Sequence, residues 1–331
     1  MRRLLLLPLT AGVILSSVAG ASASVAAAPH ASYPPPRTPV TLTSGFFADP
    51  DSVPATWVRA NKTNPSATRI QSAIGSKPIA KWFGAWSGTI GTAVGSFVGR
   101  ADNADKLPVL VAYNLPGRDA CGGHSAGGAD TAAAYDTWIS AFASAIGTRP
   151  AIVVIEPDSL GDFGCMTPDQ IAARNGMLNF AARQFHDRAP NTWAYLDAGN
   201  AGWIDAATMA DRLNQAGVAN VRGFSLNVSN YYTTAQSTAY AAAVNSALSA
   251  KYGYTKQFVA DTSRNGNGSN GEWCNPAGRK LGTPAQVGTG SNDMLLWIKT
   301  PGASDGLCGI APTTPAGTFT ADIANHLISG V

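Results

Sequence analysis

The chain has 331 residues, 13% of them charged, and a formal net charge of +3 with its Lys and Arg scattered along the sequence. A nucleic-acid surface calls for a clustered basic stripe, so the charge pattern speaks against a nucleic-acid partner. Beyond the first twenty residues no segment is apolar and long enough to cross a bilayer, which speaks against a membrane protein.

The N-terminus begins Met1-Arg2-Arg3, runs through an apolar stretch over 4–19 and ends in Gly20-Ala21-Ser22-Ala23. A charged start, a short apolar core and a small-residue cleavage site predict a secretory signal peptide over 1–23, cut after Ala23 or Ala28, and hence a secreted, extracellular protein. Residues 24–40 are rich in Ala and Pro, with Tyr33-Pro34-Pro35-Pro36, and predict an unstructured tether. From 41 to 331 there is no break in composition and no internal repeat, so one domain is expected.

Within that domain, segments with strand character alternate with helical ones. Strands are predicted over 41–47, 78–83, 108–113, 152–156, 192–197, 223–228, 257–261 and 294–298, and helices over 131–146, 168–186, 206–216, 234–249 and 319–328. The helix from Pro168 is typical. Thr167 suits the N-cap, Pro168 the first turn, and Ile171, Met177, Leu178, Ala181 and Phe185 recur on one face. Strand and helix alternating seven or eight times predict a parallel sheet, most economically closed as a (β/α) barrel. An open doubly wound sheet lacks support, because no Gly-x-Gly-x-x-Gly follows a first strand.

The chemistry should lie where strands end. Ile152-Val153-Val154-Ile155 is apolar on both faces, as in a buried parallel strand, and it runs into Glu156-Pro157-Asp158. Pro157 should keep Glu156 extended and stop the strand, so that an acid stands at the carboxyl edge. Four further strand ends supply aspartates, Asp119, Asp197, Asp261 and Asp305. Carboxylates crowded at one barrel mouth repel one another and raise a neighbour's pKa, which makes a general acid at neutral pH. Aromatic residues accompany them: Trp82, Trp86, Tyr113, Trp203, Tyr231, Tyr232 and Trp273. Indole faces beside carboxylates suit sugar rings; Trp57, Trp138 and Trp193 read as core, and Trp82, Trp203 and Trp273 as ligand-facing.

Cys121, Cys165, Cys274 and Cys308 allow three pairings. Pairing 121 with 165 and 274 with 308 would staple neighbouring loops on one face. No Cys-x-x-Cys spacing exists, so no metal site is expected. Gly123-His124-Ser125-Ala126-Gly127 matches a nucleophile elbow, with Asp305 and His326 in triad order, but Asn114 to Gly122 separate it from its strand and His326 sits in an apolar-periodic helix. Esterase chemistry therefore does not fit.

Two segments together resemble glycoside hydrolase family 6, the β-1,4-glucanases: Val111-Ala112-Tyr113-Asn114-Leu115-Pro116-Gly117-Arg118-Asp119 leading to Cys121, and Ile155-Glu156-Pro157-Asp158-Ser159-Leu160. Asp197-Ala198-Gly199 with Trp203, Asn227-Val228-Ser229-Asn230-Tyr231, Asp261-Thr262-Ser263-Arg264-Asn265-Gly266, Glu272-Trp273-Cys274 and Trp297-Ile298-Lys299 followed by Asp305 continue the likeness in order. The resemblance implies a distorted seven-stranded barrel and inverting hydrolysis of cellulose-like chains, without a cofactor. It implies Asp158 as general acid, Asp119 as the carboxylate beside it, and Asp305 as candidate base or sugar-binding carboxylate. It further implies Asp197 as a supporting group, Ser125 positioning water, Tyr113 crowding the sugar, and Trp82, Trp203, Asn230, Trp273 and Lys299 binding glucosyl units. The disulfide pairing agrees with the family. Ala120 before Cys121, Asn200 after Asp-Ala-Gly, and Ala303 after Pro-Gly depart from its usual pattern. Inversion calls for acid and base carboxyls about 6.5 to 9.5 Å apart or further, expected of Asp158 and Asp305 with Asp119 nearer. Short loops around Arg264 to Trp273 and at Pro301 point to an open cleft and internal cleavage, with a cellobiohydrolase acting from chain ends or a non-catalytic β-glucan-binding barrel as the alternatives. The expected partner is β-1,4-glucan, with mixed-linkage glucan as a further substrate, and the expected state is a monomer.

Overall fold

The computed structural model describes residues 39–123 and 126–331. The predicted leader and nearly all of the tether lie outside the described residues, as does Ser125.

Seven strands pair in parallel in chain order: β1 (Lys81–Phe83), β2 (Val109–Ala112), β3 (Ala151–Ile155), β4 (Thr192–Asp197), β5 (Gly223–Leu226), β6 (Gln257–Asp261) and β8 (Asn292–Leu296). A two-residue strand, β7 (Gln286–Val287), adds antiparallel to β8. The sheet curls round on itself. Next to its two ends, the Ala80 amide donates to the Trp297 carbonyl at 2.9 Å and the Trp82 indole N–H to the Ile298 carbonyl at 2.8 Å. The result is a distorted barrel of seven parallel strands with a seam between β1 and β8. No helix among the described residues is long and apolar enough to cross a membrane.

Alternation along the strands builds two cores. Val109, Val111, Ile152, Val154, Tyr195, Val259, Met294 and Leu296 pack together in one cluster, which fills the barrel. Their alternates Leu110, Ala112, Val153, Ile155, Leu196, Phe224 and Phe258 belong to a second cluster under the surrounding helices. Both sets are almost fully buried, so strands apolar on both faces sit between two dry layers.

The helices are α1 (Val53–Ala60), α2 (Ala67–Ile70), α3 (Ile90–Asn103), α4 (Ala132–Ile146), α5 (Pro168–Arg188), α6 (Ala206–Gln215), α7 (Thr234–Tyr252) and α8 (Ala321–Ser329). Their starts are chemically marked. Thr167 accepts from the Gln170 amide at 3.3 Å while Gln170 accepts from the Thr167 amide at 2.8 Å, a reciprocal cap repeated by Thr233 and Gln236. Trp193 is buried in the barrel and Trp57 and Trp138 pack against core clusters, as expected.

Three expectations need correction. The segment 41–47 is a run of turns and bends with one bridge, Phe46 to Leu107, and does not form a strand. Helices α1, α2 and α3 and the small strand β7 were not expected. Glu156 is not extended: its φ is +50°. The preference imposed by Pro157 yields to the Glu156 carboxylate, which caps the amides at the start of the loop after β2.

Candidate active site

The carboxyl ends of the strands open onto a cleft of about 1180 Å³. Its lining includes Asp119, Asp158, Asp162 and Asp305, the aromatic residues Trp82, Trp86, Tyr113, Trp203, Tyr232 and Trp273, and Asn200, Asn230 and Lys299. Thus three of the five strand-end aspartates reach the cleft. Asp197 and Asp261 lie buried beneath it, 1% and 0% exposed.

The loops that carry these residues are bent in unusual places. Among the described residues seven non-glycine residues have positive φ, and five of them, Asp119, Glu156, Asp158, Asn227 and Ser229, follow β2, β3 or β5. Such conformations cost free energy and persist only where surrounding contacts hold them. The contacts are present. Both Glu156 carboxylate oxygens accept from the Asn114 amide at 2.9 Å, and one also from Leu115 at 3.0 Å. This buried carboxylate therefore ties the end of β3 to the loop that carries Asp119. Burial raises its pKa to about 7, against the pull of those two amides and the Tyr135 hydroxyl. Tyr135 belongs to the outer core, so the turn at Glu156 swings its side chain off the barrel face that the parity of Ile152 and Val154 predicts.

Asp158 stands half-buried in the cleft. Its pKa is pushed up to about 8, first by loss of solvent, then by the charges of Asp197 and Asp119, with Lys299 pulling the other way. Asp197 lies against it: one carboxylate oxygen accepts from the Asp158 amide at 2.9 Å and from Gly199 at 3.1 Å, and the other from the Ser225 hydroxyl at 2.9 Å. Burial raises Asp197 to about 6 against those three donors. At neutral pH such an arrangement keeps a proton on Asp158.

Asp305 is treated in the opposite way. Arg264 donates to both its oxygens at 3.0 and 2.8 Å, Lys299 stands 3.0 Å from it, Tyr231 donates at 3.0 Å and the Asn275 amide at 3.1 Å. Burial opposes its charge, but Arg264 and then Lys299 outweigh burial and hold the carboxyl well below the usual range. Asn275 also accepts from the Asp305 amide at 2.8 Å, and the Arg264 guanidinium lies 4.3 Å from the Tyr231 ring centre. His326, by contrast, is exposed on α8 and its ring meets the Val331 carbonyl. Among the described residues Asp305 pairs with Arg264 and Lys299 and not with His326.

The disulfides Cys121–Cys165 and Cys274–Cys308 are the expected pairs. The first joins the loops of Asp119 and Asp158, and Asp162 accepts from the Cys121 amide at 2.9 Å. The second joins the loops of Trp273 and Asp305. Trp203 and Trp273 are 41% and 43% exposed. A Cβ at Gly161 would stand 2.5 Å from the Trp203 ring and one at Gly199 3.1 Å away, so two glycines from different loops make the slot that holds this indole.

A family model, Glycosyl hydrolases family 6, matches residues 43–330. The chain belongs to this family. It is 59% identical over 292 residues to Endoglucanase 1 of Streptomyces halstedii, covering 88% of this chain and 91% of that protein. With Endoglucanase A of Thermobispora bispora it shares 41% identity over 290 residues, 86% of this chain but only 62% of the longer relative. Among solved structures it is similar to an endoglucanase from Mycobacterium tuberculosis in complex with methyl-cellobiosyl-4-deoxy-4-thio-β-D-cellobioside. The likeness there has a TM-score of 0.80 and 36% identity, and covers 88% of this chain and 99% of that one.

Most residues that line this family 6 cleft are legible in the sequence, and those that hold it are not. Arg264, Tyr231 and Asn275, which clamp Asp305, were not singled out in that role. Tyr231, expected from the sequence among the aromatics beside the sugar, is 2% exposed and lies beneath the cleft. A signal for Arg264 is present in the sequence: an arginine three residues beyond a buried strand is a candidate to be buried, and a buried guanidinium needs acceptors such as a carboxylate.

Proposed function

We propose that the chain is a secreted endo-β-1,4-glucanase that inverts the anomeric carbon, with residues 41–331 as its catalytic domain and Asp158 as general acid. Asp158 carries the reading. It lies in a cleft of family 6 architecture, its pKa of about 8 keeps it protonated at neutral pH, and two carboxylates stand close enough to raise it. A general acid works best with a pKa near the working pH.

The reaction then divides among the residues as follows. Asp158 gives its proton to the leaving glycosidic oxygen. Water adds to the opposite side of the sugar ring, and its proton passes to Asp119, directly or through a second water, with Ser125 helping to place it. Asp197 orients the Asp158 backbone and keeps its proton in place. Asp305 is a poor base: its oxygens are held by Arg264, Lys299, Tyr231 and Asn275, and its proton affinity is strongly depressed. It serves instead to fix Lys299 at the sugar.

Tyr113, Trp82, Trp203, Trp273, Asn230 and Lys299 bind glucosyl units; all six line the cleft. Asn200 lines it too, its side-chain oxygen held by the Gly202 amide at 3.0 Å. Exposed indoles along the cleft fit an open groove that takes a chain in its middle. The substrate is β-1,4-glucan, with mixed-linkage glucan as a second class.

The test is hydrolysis of carboxymethylcellulose and mixed-linkage β-glucan by the wild type beside Asp158→Ala, following viscosity and the anomer released. Viscosity should fall well before much reducing sugar appears, the first product should be the α-anomer, and kcat should drop by about 10²–10⁴-fold in the variant. Activity that survives the substitution would place the acid elsewhere. Reducing sugar ahead of viscosity loss would mean attack from chain ends.

A further inference from the structure

Trp86 is the most exposed of the cleft's tryptophans, at 58%. It sits in the short turn after β1, and nothing in the chemistry assigned above uses it. A large apolar side chain exposed at the wall of a ligand cleft is a candidate contact, unlike one scattered on the outer surface.

Its surroundings are specific. The Arg118 guanidinium carbon lies 5.5 Å from the Trp86 ring centre and 4.5 Å from that of Tyr113, so one cation bridges two cleft aromatics. Arg118 also donates to the Tyr113 carbonyl at 3.2 Å, bridges to Gly127 across the loop, and immediately precedes Asp119. A Cβ at Gly84 would stand 2.4 Å from Cζ3 of Trp86, so the indole takes the space that glycine leaves. The ring is thus held in place and still more than half open. The indole N–H of Trp82 is engaged by the Ile298 carbonyl at 2.8 Å, whereas no hydrogen bond ties that of Trp86 to another described residue. A fixed, exposed indole with a cation behind it and an unused donor matches the C–H face and hydroxyl edge of a pyranose.

Resting on the β-glucanase reading, the geometry points to Trp86 as a further glucosyl-binding platform of the cleft, backed by Arg118 and through it joined to the loop that carries Asp119.

Calorimetric titration of cellohexaose into Asp158→Ala protein, where hydrolysis is stopped, tests this directly. Adding Trp86→Ala should weaken Kd by about tenfold, and Trp86→Phe should bring it back to within about threefold of the parent. In otherwise wild-type enzyme, Trp86→Ala should raise KM on soluble β-glucan by more than it lowers kcat. Unchanged Kd in Trp86→Ala would overturn the inference. So would a loss shared equally by Phe and Ala together with a lowered Tm, since that marks a structural role. A parent that neither binds cellohexaose nor, as wild type, cleaves any β-glucan would overturn the glucanase reading itself, an outcome distinct from both.

Discussion

Asp158 and Asp305 are chemically the same side chain on one cleft, and their neighbours drive them apart. Asp158 is surrounded by acids and loses solvent; Asp305 loses solvent but gains Arg264 and Lys299. The consequence is measurable. The kcat/KM of the free enzyme needs protonated Asp158, so it should fall as pH rises through about 8. Replacing Asp197 by Asn removes a negative charge that raises Asp158 while keeping an acceptor for its amide. Asp158 then ionises more easily, so the alkaline limb of the pH profile should move to lower pH. A limb that stays put or moves up would separate the two residues. At Asp305 the expected effect is on stability. Arg264→Met strips the main partner from a buried carboxylate, which should cost about 3–5 kcal/mol in urea unfolding. Because the folded pKa of Asp305 is depressed, the stability it contributes is present above the unfolded carboxyl value and lost as pH falls. The deficit of Arg264→Met should accordingly be largest near neutral pH and shrink towards pH 2. The acids were legible in the sequence because each follows an apolar strand. Which of them would be charged was not, since that depends on Arg264, Tyr231 and Asn275, brought to Asp305 from other loops.

Strands and helices differ in how much of them the sequence carried. β4 and β6 coincide with the expected bounds, and β2, β3 and β5 differ by one or two residues at an end, because strands buried on both faces are continuous apolar runs between polar ends. Helix α3 was hidden by Gly91, Gly95 and Gly99, whose low helix propensity argues against a helix; packing of Val94, Phe97 and Val98 overrides that propensity. The segment 41–47, Thr-Leu-Thr-Ser-Gly-Phe-Phe, shows the reverse case: strand-like in composition, it makes only the single bridge of Phe46 to Leu107. Between elements, the loops decide function. The Cys121–Cys165 bond closes 44 residues and ties the loop of Asp119 to that of Asp158. Replacing both cysteines by Ala should lower stability by about 2–4 kcal/mol and also lower kcat in the folded enzyme. Thr167→Ala removes a helix cap outside the cleft and should cost about 1 kcal/mol with kcat unchanged. If the two variants affected kcat alike, the disulfide would be holding the fold and not the site.

Across the whole molecule the buried carboxylates set how stability depends on pH. Glu156, Asp158 and Asp197 are raised to about 7, 8 and 6, each chiefly by burial. An unfolded chain releases these protons near pH 4, so between pH 4 and the native values the folded state binds more protons than the unfolded one. Their contribution to stability is therefore complete below about pH 4 and lost as pH climbs through 6 to 8. Asp305 runs the other way, and the protein is caught between them. A chain selected only for stability gains nothing from such carboxylates; on the proposed mechanism Asp158 is kept because a proton must stay there at neutral pH. Asp158→Asn leaves the shape of the side chain and removes its charge. It should raise Tm relative to wild type at pH 9, where the native aspartate is forced to ionise, and give no gain at pH 4, where it is already neutral in the fold. Calorimetry of both proteins across that range decides the matter. A Tm difference independent of pH would mean that Asp158 does not titrate with a raised pKa, and the assignment of the general acid would fall with it.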